Sequence, residues 1–443
     1  MDLFTYRCLR LIYIARTWLV QQFTPAGLGV LIGGGGSAIA SLGSTRSLCH
    51  VLFFFALALL ILATIGSRLI QFRFEATRIL PRFGTVGEPL PYQVVIQNLS
   101  PQPQKGLKLV ETFATPFPSF REFIQIKRRY LVGSQWWPHW RRYLAQQQWA
   151  TAHLQDLPTL STKAKTKAMV EILPLRRGSL HLEIITLACP DPLGLIYKRH
   201  TYYVGQSICI LPQRYQLSPL HLSQASRYQS GDTLRASAVG EAFEFRSLRD
   251  YRAGDPTHKI HWKSWAKVGR PIVKEQQNET SIHHALILDT FQPELYSTPF
   301  EEAIAVAISF LMQEQPEASL LDVIYAASDP RLVTVGKGLR QRAQIIETVA
   351  TLNPNQHREL KCLNPIIQSR LSRLSGCFCI LLGFDDTRYA FLKMLSQYGI
   401  PIKAICLSDL SLHLDPQFQE YFGPQCQLHS GAISHLQQEL LAL

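Results

Sequence analysis

Hydrophobic positions are concentrated near the amino terminus. The longest apolar run covers residues 48–65 (LCHVLFFFALALLILATI) and contains one His and no formal charge. About eighteen residues is close to the shortest length that crosses a bilayer as a helix, so a transmembrane helix is predicted over 48–66. A second uncharged stretch, residues 27–44, is rich in small residues, which let membrane helices pack closely. The two stretches predict a transmembrane helical hairpin over residues 26–67.

Arginines flank this hairpin on both sides. They are Arg7, Arg10 and Arg16 before it, Arg46 in its turn, and Arg68, Arg73, Arg78 and Arg82 after it. Because cytoplasmic loops carry an excess of Lys and Arg, both termini are predicted to be cytoplasmic. The protein is then integral to the cytoplasmic membrane. Residues 1–25 are predicted as an interfacial segment rather than a cleaved signal peptide, since Arg16 interrupts their apolar run.

After the hairpin the pattern changes to short alternating runs. These runs cover residues 89–99, 105–112, 168–173, 178–187 and 202–211, and they are bounded by Pro, Gly, Asn or Asp. Alternation with period two is typical of half-buried strands. Several such strands without helical periodicity predict a β-rich, sandwich-like domain over residues 76–215.

The last third of the chain, residues 281–443, alternates buried runs with helical patterns. Strands are predicted at 284–289, 321–326, 377–383 and 402–407, and helices at 301–312, 339–352, 389–398 and 433–441. This alternation predicts an α/β domain with a mainly parallel sheet covered by helices. Ligands of such sheets bind at the carboxyl ends of the strands. Cys377 and Cys379 share one face of a predicted strand and are interpreted as small core residues.

Composition narrows the class of protein. The chain has 443 residues, of which 47% are hydrophobic, so wholesale disorder is excluded. Its net charge of +13 favours nucleic acid, an anionic membrane surface or an acidic partner. The nine cysteines have no repeating spacing, which fits reduced cytoplasmic thiols better than a disulfide framework.

One basic segment interrupts the β-rich domain at residues 121–149. Its candidate membrane or partner surface consists of Arg128, Arg129, Trp136, Trp137, Trp140, Arg141 and Arg142. Arg with Trp is favoured at an anionic lipid interface, and the same residue types would stack and pair with single-stranded nucleic acid. A third interpretation is a loop whose tryptophans fold back on the sandwich. Lipid or a partner is favoured, and no nucleic acid is expected.

A dense alternation of basic and acidic side chains follows within residues 216–280. The candidate site residues there are Arg249, Tyr251, Gly254, Asp255, Ile260, His261, Trp262, Lys263 and Glu275. Such a segment indicates a polar network between two domains, or a docking face for a partner. The alternative is a salt-bridged surface whose individual pairs contribute about 0 to 1 kcal/mol.

This segment resembles the domain of unknown function 58 family. Tyr251, Gly254, Asp255, Ile260, His261 and Trp262, with Val273 and Glu275 after them, fit the pattern Y-x-x-G-D-x-x-R-x-I-H-W of that family. A second match lies at Arg177, Gly178, Asp191, Pro192, Leu193, Gly194 and Leu195. The resemblance implies a membrane hairpin, a β-rich domain and a von Willebrand factor A-like domain. It also implies an association with a MoxR-type AAA+ ATPase.

The sequence departs from the family at several positions. His258 replaces an Arg of the pattern, and Trp265 replaces a small residue. A von Willebrand factor A domain would hold a cation with D-x-S-x-S, but the matching residues here are Asp289, Phe291 and Pro293. Both hydroxyl ligands are therefore absent, and Asp385 or Asp386 alone would complete a poor cation cage. The metal site is predicted to be degenerate, with Asp289, Asp385 and Asp386 as residual candidates.

Signals for catalysis are weak. The sequence contains no G-x-S-x-G, H-E-x-x-H, CxxC or P-loop pattern. We therefore expect no catalytic residues and no cofactor, and we expect a membrane-anchored interaction or adaptor protein. The alternative is a metal-dependent adhesion-type binding module or an uncharacterised envelope enzyme.

Overall fold

The structure is a computed structural model. It describes residues 2–42, 47–70, 73–101, 103–113, 117–129, 136–152, 154–217, 244–252, 254–255, 257, 260–277, 282–293, 297–313, 319–336, 339–356, 358–408, 422 and 426–442. The chain divides into two compact units, Met1–Gln213 and Arg214–Leu443. Each unit contains a hydrophobic core of its own, so the two are described separately.

Three helices begin the first unit: α1 (Asp2–Gln22), α2 (Pro25–Leu42) and α3 (Ser47–Leu69). Within α3, Leu48–Arg68 is long and apolar enough to cross a membrane. The apolar part of α2, Pro25–Ser41, is shorter. The described residues therefore include one helix of spanning length, and α2 packs against it.

Short strands form two sheets after these helices. The strands are β1 (Phe74–Ile79), β2 (Phe83–Thr85), β3 (Leu90–Asn98), β4 (Lys108–Thr112), β5 (Ala150–Ala152), β6 (Gln155–Asp156), β7 (Lys165–Pro174), β8 (Gly178–Pro190) and β9 (Tyr197–Leu211). Their orders are β1-β3-β7-β5 and β2-β9-β8-β4-β6. Alternate residues of β3 point inward, and side chains from both sheets share one buried cluster. The sheets thus pack face to face, as in a sandwich.

The described parts of the basic segment between β4 and β5 are mostly helical, whereas one of the three interpretations of the sequence was a loop. It forms α4 (Phe120–Arg129) and α5 (Trp136–Gln146). Ser119 begins α4 with reciprocal hydrogen bonds, because its amide donates to Glu122 and its hydroxyl accepts from the Glu122 amide. This pattern is a capping box, which satisfies amide groups at a helix start.

A buried ion pair joins the two sheets of the sandwich. The Arg78 guanidinium on β1 donates to both carboxylate oxygens of Glu111 on β4, at 3.0 and 2.8 Å. It also donates to the carbonyls of Leu182 and Val204, while the Tyr92 hydroxyl donates to Glu111. The sequence counts Arg78 among the arginines that orient the hairpin, but its side chain lies inside the sandwich. Burial and the Glu111 carboxylate raise the pKa of Tyr92.

The second unit contains a two-stranded sheet and a six-stranded sheet. The first consists of β10 (Glu244–Asp250) and β11 (Ile272–Gln277), with α6 (Trp262–Val268) between them. The elements of the second are β12 (Ile282–Leu288), α7 (Thr298–Met312), β13 (Ser319–Ala326), β14 (Pro330–Val335), α8 (Leu339–Ala350), α9 (Asn364–Arg370), β15 (Gly376–Leu382), α10 (Asp386–Ser396), β16 (Ile402–Ser408), β17 (Cys426–Ala432) and α11 (Leu436–Ala442).

The six-stranded sheet has the order β14-β13-β12-β15-β16-β17. Its strands pair in parallel except β14, which is antiparallel to β13 at the edge. This confirms the predicted α/β class with a mainly parallel sheet. When the six strands of this sheet are numbered by themselves, the order is 3-2-1-4-5-6, which is typical of doubly wound folds.

Buried cysteines line one face of this sheet. Cys377, Cys379, Cys406 and Cys426 belong to the same apolar cluster. Burial raises the pKa of Cys377 to about 12 and that of Cys406 to about 12. These thiols are therefore protonated at neutral pH and act as small core side chains, as the sequence predicts for Cys377 and Cys379.

Candidate functional site

The six-stranded sheet reverses its strand order between β12 and β15. In open α/β sheets, ligands bind outside the carboxyl ends of the strands at this reversal. Asp289 follows directly after β12, and Asp385 follows shortly after β15 at the start of α10. All three residual metal candidates, Asp289, Asp385 and the adjacent Asp386, thus lie at this edge of the sheet.

Asp289 is fully buried and is hydrogen-bonded on both carboxylate oxygens. One oxygen accepts from the Phe291 amide at 2.9 Å. The other accepts from the Leu382 amide at 3.0 Å and from Nε of Arg388 at 2.7 Å. A buried carboxylate needs such partners to remain charged.

The Arg388 guanidinium also donates hydrogen bonds to two further groups at this edge. It donates to Asp385 at 2.6 Å and to the Phe291 carbonyl at 2.9 Å. Burial by itself would lower the pKa of Arg388, but the Asp289 and Asp385 carboxylates raise it overall. The guanidinium therefore supplies a permanent positive charge between two carboxylates and a carbonyl.

This arrangement engages the oxygen atoms that a metal ion at this edge would use. Asp289, Asp385 and the Phe291 carbonyl are oxygen ligands of the kind that Mg²⁺ prefers, but all three already contact the same guanidinium. The hydroxyl of Thr290 donates to the Ala326 carbonyl, and Asp386 is exposed in the first turn of α10. The described residues contain no cluster of three His, Cys, Asp or Glu side chains suited to a metal.

A second candidate region is the signature hairpin, defined as residues 244–277. Its two strands pair antiparallel, with a register shift between Phe245 and Ser247. The segment between them returns to the sheet through an isolated bridge between Ile260 and Val273, and both of these side chains are buried. Ile260 and Val273 thus form the small core of the hairpin.

Arg249 and Asp255 form the best-defined polar contact of the hairpin. Two guanidinium nitrogens of Arg249 donate to the two Asp255 oxygens at 2.7 and 2.8 Å, and the Arg252 amide donates as well. Gly254 precedes the pair with a φ of 109°, which favours glycine. The Arg249 hydrogen bonds, with that from Arg252, lower the pKa of Asp255 to about 2. Three predicted site residues are therefore brought together: Arg249 near the end of β10, and Gly254 and Asp255 in the segment after it.

Helix α6 presents two stacked tryptophans. The Trp262 and Trp265 rings lie 5.2 Å apart with an interplanar angle of 21°. Trp262 is 62% exposed, and no residue of α6 is buried. Lys263 and Lys267 are also exposed, so the helix offers a flat aromatic pair beside positive charge. His261 precedes the helix, and its ring contacts the Ser264 hydroxyl at 2.7 Å.

Other predicted residues of the hairpin have different positions. Tyr251 is half-buried, and its amide donates to the Pro271 carbonyl. The backbone of Glu275 lies in β11 opposite Ser247, but its side chain is outside the described part of the chain. His258 is likewise outside it.

The second family match forms a tight turn against the first helices. The buried Asp191 carboxylate accepts from the amides of Leu193, Leu195 and Ile196. The Thr24 amide then donates to the Leu195 carbonyl at 3.0 Å. A Cβ atom at Gly27 would lie 1.9 Å from the Leu195 carbonyl oxygen, so only glycine fits there. This Asp191 turn fixes the start of α2 to the sandwich.

The basic segment separates into buried and exposed tryptophans. Trp140 is only 1% exposed and packs against Phe123 and Phe117. Its ring is therefore core, which corrects its assignment to a membrane or partner surface. Trp137 is 42% exposed, and Arg128 and Arg141 are exposed. The side chains of Arg129, Trp136 and Arg142 lie outside the described part.

Two residues gain importance only from the structure. Arg388 belongs to no pattern in the sequence, because its partner Asp289 is distant along the chain. Trp265 is visible in the sequence as a departure from the family pattern, and that departure creates the stack with Trp262. The unusual Trp at position 265 was thus the signal in the sequence that could have indicated the stack.

Residues 247–376 match the family described as "Protein of unknown function DUF58". This match confirms the resemblance for that part of the chain, which includes β11, β12, β13 and the greater part of the signature hairpin. The uncharacterised protein YeaD of Bacillus subtilis (strain 168) is 28% identical over 145 residues, which are 32% of this chain and 34% of YeaD. The aligned region thus spans about a third of that relative.

A solved structure gives a more distant likeness. It is the CARDB domain of a Pyrococcus furiosus protein in complex with di-metal ions. The alignment covers 32% of this chain and 96% of that domain, with 9% identity and a TM-score of 0.18. A likeness of this size carries no argument about the fold or function of this chain.

Proposed function

We propose that this protein is a membrane-anchored, non-enzymatic adaptor that binds a soluble partner through its signature hairpin. The observation that supports this most directly is the stacked pair of Trp262 and Trp265 on a helix without buried residues. Aromatic residues are enriched at protein interfaces and dominate their hot spots. An aromatic pair of this kind is suited to a partner that covers it.

The proposed anchor is a hairpin of α2 and α3 with both termini in the cytoplasm. The length and apolar composition of Leu48–Arg68 support a spanning role for α3. The packing of α2 on α3 and the small residues of α2 support the pairing. The bilayer would then have to thin locally around α2, because the apolar stretch of this helix is short.

The proposed fold of the second unit is von Willebrand factor A-like with a degenerate metal site. The strand order with an antiparallel edge strand supports the fold. The Arg388 guanidinium between Asp289 and Asp385 supports the loss of cation binding. Such a domain would serve as a protein-binding module without a metal.

A MoxR-type AAA+ ATPase is the proposed partner, on the basis of the family resemblance. Lys263 and Lys267 beside the tryptophans favour a partner surface with acidic residues around an apolar centre. The process would be chaperone-like or related to the cell envelope. No nucleic acid is expected to bind.

Binding of the purified, detergent-solubilised protein to the MoxR-type ATPase of the same organism tests this proposal. Trp262→Ala is expected to weaken binding by about thirtyfold, as for an interface hot spot. Tyr203→Ala is the matched control, because Tyr203 is an aromatic residue of the first unit and is 76% exposed. Equal binding by both variants and the unchanged protein would show that the signature hairpin is not the docking face.

The second candidate function is a metal-dependent adhesion-type module or an envelope enzyme. It is favoured by the two carboxylates at the reversal of the strand order, Asp289 and Asp385. Calorimetric titration of the full-length protein with Mg²⁺ and Mn²⁺ separates the two candidates. We expect no saturable heat, because the guanidinium of Arg388 already occupies the carboxylates. Micromolar binding would instead support the metal-dependent module.

A further inference from the structure

Helix α1 has a packed face that contacts the basic segment. Tyr6 is buried among Phe117, Phe120 and Phe123, and its hydroxyl donates to the Pro118 carbonyl at 2.8 Å. Leu9 packs on the same cluster, and Tyr13 contacts Phe117. Helices α1, α4 and α5 therefore form one small aromatic core, which contains the buried Trp140.

The opposite face of α1 is exposed and mostly apolar, with the exposed Arg7 among its residues. Phe4, Leu11 and Trp18 are 74%, 65% and 57% exposed, and Ile14 is 49% exposed. These four residues recur at helical spacing on the side away from Tyr6, Leu9 and Tyr13. A helix that is apolar on both faces needs a second apolar environment for its outer face, because large exposed apolar patches mark interaction sites.

The three helices are strongly basic. Their Lys and Arg residues are Arg7, Arg10, Arg16, Arg121, Lys127, Arg128, Arg129, Arg141 and Arg142, and their acids are Asp2 and Glu122. One of these acids, Asp2, already pairs with Lys127. The surroundings of the apolar face thus favour an anionic partner.

The position of the face favours a membrane over other anionic partners. Trp18 contacts Phe23, which bridges to Ile196 directly before α2 begins. Phe23 also shares a buried cluster with Ala63 of α3. The exposed face is therefore continuous with the start of the apolar helix pair. Trp at such a junction is typical of the interfacial zone of a bilayer.

We propose that α1, with α4 and α5 behind it, is a lipid-binding platform that lies in the membrane interface and selects anionic phospholipid. Phe4, Leu11 and Trp18 enter the boundary between headgroups and acyl chains, and the arginines contact lipid phosphates. The proposal depends on the membrane anchoring proposed above. It disfavours nucleic acid, because Trp140 and Phe123 are core and cannot stack on bases.

Fluorescence quenching by brominated phospholipid tests the platform. The full-length protein is reconstituted in vesicles of equal amounts of phosphatidylcholine and phosphatidylglycerol, with bromine on the acyl chains of one lipid or the other. The chain has 7 tryptophans, so the difference between the unchanged protein and Trp18→Phe gives the quenching of Trp18. Trp262→Phe is the matched control, because Trp262 is 62% exposed but belongs to the second unit.

We expect the Trp18 component to be quenched, and more strongly by brominated phosphatidylglycerol than by brominated phosphatidylcholine. Replacing Arg7 and Arg10 by Gln is expected to lower this preference several-fold. If Trp18→Phe leaves the quenched fraction unchanged, the apolar face does not enter the lipid. If the two brominated lipids quench Trp18 equally, the selection of anionic lipid is wrong.

Flotation of the vesicles after an alkaline carbonate wash separates this proposal from the anchoring itself. Protein that floats without Trp18 quenching has an anchor but no platform. Protein that does not float has no anchor, and the proposed function fails with it. A covalent dimer cross-linked through α1, together with absent Trp18 quenching, would show that a second copy covers the face instead.

Discussion

The two units each contain a buried pair of arginine and carboxylate, but the pairs differ in enclosure. In Arg78–Glu111 both side chains are 0% exposed. In Arg388–Asp289 the carboxylate is 0% exposed and the arginine 13%. In the first pair, Tyr92 and two backbone carbonyls make the remaining hydrogen bonds. In the second pair, Arg388 also contacts Asp385, which is half-exposed.

This difference separates a pair enclosed in the middle of a core from a pair at the edge of a sheet. The Arg78–Glu111 pair joins two sheets in the middle of a core, where no ligand can reach it. The Arg388–Asp289 pair lies at the sheet edge where doubly wound folds bind ligands. The positive charge beside Asp289 is the side chain of Arg388. A third pair, Arg249–Asp255, is more exposed, at 36% and 17%. The expected effects of breaking these pairs fall in the same order.

The largest effect is expected for Arg78→Met. It leaves Glu111 charged and buried without its partner, and breaking a buried pair in this way costs about 3–5 kcal/mol. The free energy of unfolding of the β-rich unit, measured by denaturant titration in detergent, checks this. Arg73→Met is the control, because Arg73 is exposed near the start of β1, and its change should stay within about 0.5 kcal/mol.

A triple variant sharpens this prediction. Arg78→Met combined with Glu111→Leu and Tyr92→Phe removes every charged or hydroxyl group of the network. Replacing a whole buried pair by apolar side chains is often neutral, so most of the lost stability should return. A triple variant as unstable as Arg78→Met would show that shape, and not the unpaired charge, determines the loss.

An intermediate effect is expected for Arg388→Met. Asp289 keeps its two amide hydrogen bonds but loses its cation, and water can reach the partly exposed position. We expect a loss of about 2 kcal/mol in the unfolding transition of the second unit. Arg340→Met on the exposed face of α8 is the control. A loss as large as that of Arg78→Met would contradict the difference in enclosure between the two pairs.

The smallest effect concerns the pH dependence of Asp255. Its pKa is lowered to about 2 in the folded protein from an ordinary value of 3.8. Its pairing therefore stabilises the fold above that ordinary value and is lost as the pH falls through about 2. Carboxyl NMR titration is expected to show this, and Arg249→Gln should return the pKa toward 3.8. An unchanged pKa in Arg249→Gln would assign the shift to the Arg252 amide instead.

Much of the fold could be predicted because its elements have strong local patterns. The strands predicted at residues 168–173 and 202–211 lie within β7 and β9 of the structure, and the helix predicted at residues 339–352 is α8. Two edge strands of the α/β sheet, β14 and β17, were not predicted. β14 begins with Pro330 and β17 contains Gly431, and both residue types weaken a strand pattern although the neighbouring strand supplies the pairing.

The sites were less predictable because they depend on contacts between distant residues. The patterns located Asp289 and Asp385 at the correct edge, but no local rule could place Arg388 between them. The same applies to Arg78, whose position after an apolar run resembles that of a membrane-flanking arginine. Only the pairing of β1 with β3 carries Arg78 into the sandwich opposite Glu111. Long-range strand pairing thus decides which arginines are buried.

The Asp191 turn also has a mechanical consequence. Between Gly27 and the Leu195 carbonyl there is no side chain that could yield, and Thr24 ties the start of α2 to the same turn. A tilt of α2 relative to β8 and β9 would have to break these backbone contacts before it could begin. We therefore expect the start of α2 to move together with the turn between β8 and β9 rather than independently of it.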